Sequence, residues 1–116
     1  MTKRLLFLAA LAALLLTPAR VHANSPHILT ITGTGAVVRV ATVDTPASSV
    51  QFTAPAANSG IARIGDATVT SSVGEALPAG SGQYFPPRAP GAWSLSNFYV
   101  YVASGDTVTI LWTDLN

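Results

Sequence analysis

Few residues in this chain are equipped for chemistry. The 116 residues include two histidines, five carboxylates and no cysteine. His22 falls in a leader described below, which leaves His27, close to the start of the mature chain, where order is expected to be poor. A serine nucleophile therefore has no credible base. Asp44, Asp66, Glu75, Asp106 and Asp114 stand singly, mostly beside turn residues, and no two are spaced to divide the roles of acid and base. Turn capping accounts for most of them. Calcium needs several converging oxygens; Asp66 and Asp106 could each supply one, but no DxDxDG-like loop surrounds them. Gly33-Thr34-Gly35 lacks the strand-to-helix setting that cradles phosphate. The expectation is a protein that is not an enzyme, with no catalytic, cofactor-binding or metal-binding residues; a small secreted hydrolase is the remote alternative.

What remains is the chemistry of contact. Tyr84, Arg88, Trp93, Tyr99 and Tyr101 form the candidate interaction surface. The run Pro86 to Ser94 contains three prolines, which remove three donors and fix φ, so it reads as a loop. Arg88 and Trp93 could form a contact tip with Tyr84 nearby. Equally, the loop could be a stiff connector whose tryptophan folds back to plug the core. Tyr99 and Tyr101 share one strand face, to which Leu111 is assigned from the next strand. That face either docks a second subunit or covers one side of the fold with wet hydroxyls.

The elements that must position these residues are short strands. From Asn24 onward, serine and threonine supply 21 of 93 residues and glycine plus proline another 16, a balance that favours strands and turns over helices. Strands are expected near 28–32, 36–43, 49–54, 61–64, 67–71, 83–85, 97–103 and 107–113, with turns at Gly33-Thr34-Gly35, Asp44-Thr45-Pro46, Asn58-Ser59-Gly60, Gly65-Asp66, Pro78-Ala79-Gly80 and Ser104-Gly105-Asp106. The last two strands alternate most clearly and are expected to form a hairpin about Ser104-Gly105-Asp106. Phe52, Ile64, Val69, Leu77, Phe98, Val100, Val108 and Ile110 occupy the apolar phase and are the expected core. The fold class is all-β: a single small antiparallel β-sandwich, jelly-roll-like, of about 7–8 short strands.

Residues 1–23 read as a signal peptide and 24–116 as the sandwich domain. Lys3 and Arg4 precede an apolar run from Leu5 to Leu16, and Val21-His22-Ala23 places small residues where signal peptidase needs them. Twelve apolar residues at about 1.5 Å rise span roughly 18 Å, short of the ~30 Å hydrocarbon core, so no stable membrane anchor is expected. The expected location is secreted, periplasmic or on the cell surface. Beyond Ala23, three arginines face five acids, a net charge of −2, and lysine is absent. Binding by counterion release has little to draw on, which argues against nucleic acid. Without cysteine, an apolar core alone must hold a small, marginal domain.

One resemblance spans residues 50–112. Val50-Gln51-Phe52-Thr53-Ala54, Asn58-Ser59-Gly60, Gly65-Asp66, Val69-Thr70-Ser71-Ser72-Val73-Gly74, Leu77-Pro78-Ala79-Gly80, Leu95-Ser96-Asn97-Phe98-Tyr99-Val100 and Gly105-Asp106-Thr107-Val108 follow one another. Together they resemble a small β-sandwich domain of tailed-phage and prophage structural proteins. The resemblance implies a decoration, fibre or baseplate-associated module that works by assembly, as a homo-oligomer with a trimer favoured, or within a larger surface or virion structure. The secretory leader departs from that family and admits a bacterial surface protein as well. A small carbohydrate-binding or surface-adhesion module is the alternative, with Tyr84, Trp93, Tyr99 or Tyr101 stacking on a glycan.

Overall fold

β-branched and hydroxyl-bearing residues at a period of two build nine strands in the computed structural model, which describes residues 25–88 and 91–115. The expected leader lies outside the described residues. The strands are β1 (Pro26–Thr32), β2 (Val37–Arg39), β3 (Pro46–Thr53), β4 (Ala62–Gly65), β5 (Glu75–Leu77), β6 (Gly82–Phe85), β7 (Trp93–Ser94), β8 (Tyr99–Tyr101) and β9 (Thr107–Asp114). A 3-10 turn at Leu95–Asn97 leads into β8.

All pairings are antiparallel. One sheet runs β1-β9-β3-β6, with β7 also against β3, and the other runs β2-β8-β4-β5. The pairings are nested: β1 with β9, β2 with β8, β3 with β6, β4 with β5. The chain is thus one long hairpin rolled up until β9 also meets β3 and β8 also meets β4. This is the double Greek-key order of a jelly roll.

The expected core is buried in full: Phe52, Ile64, Val69, Leu77, Phe98, Val100, Val108 and Ile110, joined by Val50, Leu95 and Val102. Phe52 of one sheet meets Phe98, the residue just before β8 of the other, with ring centroids 5.2 Å apart, so the two inner faces interlock.

Four expectations need correction. Ser104-Gly105-Asp106 does not close a hairpin: β8 and β9 lie in different sheets, and the turn carries the chain across the core. Alternation alone cannot distinguish these outcomes, since both bury the same side chains. The crossing is fixed by a second one beside it, between β1 and β2. Gly33 N–H donates to the Asp106 carbonyl (2.8 Å), Gly105 N–H to the Gly33 carbonyl (3.3 Å) and Gly35 N–H to the Val102 carbonyl (3.1 Å). A Cβ at Gly33 would lie 2.1 Å from the Ala103 carbonyl oxygen, so only glycine admits this approach.

Residues 67–71 form turns instead of a strand. Asp66 accepts from the Thr68 N–H and hydroxyl, and Thr70 Oγ1 accepts from the Ser72 and Val73 N–H groups, local bonds that compete with a ladder. Two strands lie where none was expected, β5 and β7, of three and two residues. Lastly, His27 is no loose terminus. It pairs with Trp112 in the β1–β9 ladder, stacks on the Trp112 ring and bonds Asp114 Oδ2 at 2.7 Å through Nε2.

Candidate recognition pocket and outer sheet faces

The Pro-rich run acquires its meaning from β3. Val50 to Thr53 pair with β6, and Pro46 and Ala47 pair with β7 on the same side. β6 and β7 are two pieces of one interrupted edge strand, and the ladder breaks at Pro86. Pro86 and Pro87 lack the amide donors a ladder needs, which explains why pairing stops there. The chain returns through Trp93, whose Nε1 donates to the Pro86 carbonyl at 2.8 Å and ties the two ends together. Arg88 Nη2 donates to the Ala92 carbonyl at 3.1 Å, and its guanidinium sits over the Trp93 ring at 4.2 Å, a cation–π contact.

These contacts wall a cavity of about 460 Å³ between the β5 and β6 edges of the sandwich. Its apolar side is aromatic. Phe85 meets Trp93 and Phe98 edge-on at centroid distances of 5.2 and 5.0 Å, and Trp93 lies 6.1 Å from Phe98. Its polar side is Gln83, Glu75, Asn97 and Arg88. Ser94 also lines it, but the Ser94 hydroxyl already bonds Asp44 and Ser96. The chain matches no family model, no curated protein and no solved structure.

The five sequence-derived contact residues fall on three surfaces. Arg88 and Trp93 line the cavity, and Trp93 also packs on the core aromatics. Tyr84 does not join them. It lies between Gln83 and Phe85, which face the cavity, so the strand period turns it to the outside of the five-stranded sheet. Tyr99 and Tyr101 lie on the outer side of the other sheet, and Leu111 is not beside them, because the β8–β9 crossing puts it on the far side of the molecule.

The two outer faces differ in charge. Around the tyrosines, Arg39 lies across from Tyr99 with its guanidinium 5.8 Å from the ring, and Arg63 lies across from Tyr101. Arg39 Nε donates to the Ser96 carbonyl at 2.7 Å and Arg63 Nη1 to the Gly74 carbonyl at 3.2 Å, so both stems are spread over the sheet. Tyr99 and Tyr101 are half-buried, and the Arg39 guanidinium lies against Tyr99, so this face is not an open aromatic patch.

On the five-stranded sheet, cross-strand register builds the rows Ile28–Leu111–Gln51–Tyr84 and Thr30–Thr109–Thr53–Gly82, flanked by Thr32 and Thr107 and by Thr113 and Ser49. None of these residues is charged. Ile28 is 71% exposed, Tyr84 52% and Leu111 41%. Sequence reading missed Ile28, Glu75, Gln83 and Asn97. The period of two could have paired Gln83 with Phe85 and set Ile28 opposite Leu29 and Ile31; Glu75 offered no signal, because a three-residue strand shows no periodicity.

Asp106 and Asp66 are spent on structure. Asp106 is only 6% exposed, and its carboxylate accepts from Ser59 N–H (2.9 Å), Ser59 Oγ (3.1 Å) and Gly60 N–H (2.9 Å). The backbone donors at Ser59 and Gly60 hold its pKa below the usual value despite the opposing cost of burial. At Asp66, the Thr68 hydroxyl and N–H do the same. Among the described residues, no three of His, Asp and Glu gather as metal ligands would.

Proposed function

We propose that this chain is a non-catalytic, exported assembly module, a surface or virion-associated subunit of the kind the phage and prophage resemblance implies. The observation that supports this most is the uncharged outer face of the five-stranded sheet, with Ile28, Leu111 and Tyr84 exposed in a single row. An apolar row rimmed by threonine hydroxyls suits an interface core, where charged residues are depleted and aromatic ones enriched. The occupant is a second copy of the same chain. With few charges of its own the domain has little repulsion to overcome, and without disulfides it gains stability from association. Closed symmetry is the usual outcome, and the resemblance favours a trimer.

The test is sedimentation of the secreted protein. The wild type is expected to sediment above the monomer mass, and Ile28→Glu with Leu111→Lys to sediment as a monomer with unchanged β-type circular dichroism. A wild type that stays monomeric at high concentration overturns the reading. The intact mass of the same sample tests export, with a chain beginning at Asn24 expected and one beginning at Met1 contradicting it.

A further inference from the structure

We propose that the cavity between β5 and β6 is a binding site for a neutral saccharide, sized for one or two sugar rings. The volume, about 460 Å³, falls in the lower part of the ~300–1,000 Å³ range of small-ligand sites. A sugar ring presents an apolar face of C–H groups and a girdle of paired hydroxyls. The cavity answers both. Phe85, Trp93 and Phe98 form a wall locked edge-to-face, rigid before any ligand arrives. The same lining holds a carboxamide from Gln83, another from Asn97 and the carboxylate of Glu75, planar groups able to engage two neighbouring hydroxyls at once.

Their hydrogen-bonding capacity is unspent. Among the described residues, the side chains of Gln83, Glu75 and Asn97 bond to no other group, whereas Ser94 and Trp93 in the same lining are committed. Arg88 gives one Nη to Ala92, which leaves the rest of its guanidinium as donor. Neutrality of the ligand follows from Glu75 and Arg88, which bring one charge of each sign to the lining and form no ion pair within 4.0 Å among the described residues. An acidic sugar would meet Glu75 and a basic one Arg88.

The site does not depend on the assembly reading. Gln83 and Phe85 face the cavity while Tyr84, between them, faces the proposed interface, so either surface can fail alone. Nitrogen-15 NMR of the secreted protein reads the cavity directly, through the Trp93 indole N–H and the side-chain amides of Gln83 and Asn97. The probes are the methyl glycosides of glucose, mannose, galactose and N-acetylglucosamine, with maltose, cellobiose and lactose, against sialyllactose and indole as acidic and apolar comparisons.

At least one neutral saccharide is expected to shift all three sets of signals saturably. Glu75→Ala and Gln83→Ala are each expected to weaken that binding about tenfold or more, with the thermal midpoint unchanged because both side chains are at least partly exposed. Absence of shifts with every neutral probe overturns the proposal. So does binding of sialyllactose or indole alone, or full retention of affinity in both variants.

Discussion

Removing the side chain of Asn58 tests whether one amide locks the two halves of the jelly roll together. Asn58 sits in the β3–β4 connection and treats β9 as a strand would. Its Nδ2 donates to the Thr107 carbonyl at 2.7 Å, and its Oδ1 accepts from the Thr107 N–H at 3.0 Å. Asn58→Ala deletes both bonds and leaves both backbone groups of Thr107 without these partners. Each bond is worth about 0.5–1.5 kcal/mol net, so the expected loss is about 1–3 kcal/mol, toward the lower end where water reaches the half-buried site. For a domain of this size each kcal/mol moves the midpoint by roughly 4–8 °C, so a fall of about 4–24 °C is expected in a thermal melt followed by circular dichroism. Asn58→Asp sharpens the test at constant shape. At neutral pH its carboxylate still accepts from the Thr107 N–H but confronts the Thr107 carbonyl oxygen, so it should be at least as damaging, and acid should relieve it by restoring a donor. An Asn58→Ala midpoint equal to that of wild type would refute the reasoning.

Three other perturbations have defined outcomes. Gly33→Ala should prevent the paired crossings from closing, because its Cβ meets the Ala103 carbonyl oxygen, and it is expected to yield insoluble or unfolded protein; a well-folded variant with a native melt would contradict the described approach. Asp106→Asn should destabilise at neutral pH by an amount that shrinks on acidification. The folded pKa of Asp106 is lowered, so its contribution is present above the unfolded value of about 3.9 and is lost as pH falls through the folded one; a wild-type-to-variant gap in urea midpoint that stays constant from neutral pH to about pH 2 would contradict this. Val100→Ala, at a fully buried position in β8, should cost about 1–3 kcal/mol through lost burial and a residual cavity, read as a lower urea midpoint with unchanged slope.

Sequence reading recovered what depends on neighbours in the chain. Alternation identified the core residues of β3, β4, β8 and β9 because each strand reports its own inner face. It could not say which sheet a strand joins, so Tyr99, Tyr101 and Leu111 were placed on one surface when the crossing at Gly105 separates them. Asp106 read as a turn cap, and it is one, but of a distant turn: it holds Ser59 and Gly60 in the β3–β4 connection, and Asn58 in the same connection holds Thr107. Two turn motifs distant in the chain, Asn58-Ser59-Gly60 and Gly105-Asp106-Thr107, are therefore two halves of one clip. The loop that carries Trp93 and Arg88 to the cavity lining was legible, since a proline-rich run cannot continue a ladder. Glu75 and Asn97 were not, because they reach the cavity only through the packing of one sheet edge against the other.

The nested pairing governs when this protein can become itself. Its outermost rung joins the two ends of the domain, with 87 positions separating His27 from Asp114. β9 is no edge strand: it lies between β1 and β3, so the five-stranded sheet has no centre until it arrives. A chain made N-terminus first must wait with β1 and one side of β3 unsatisfied until β9 has followed them. Contacts of such long range close slowly. The edges of β1 and β3 that face β9 are therefore the last parts of this sheet to be sealed.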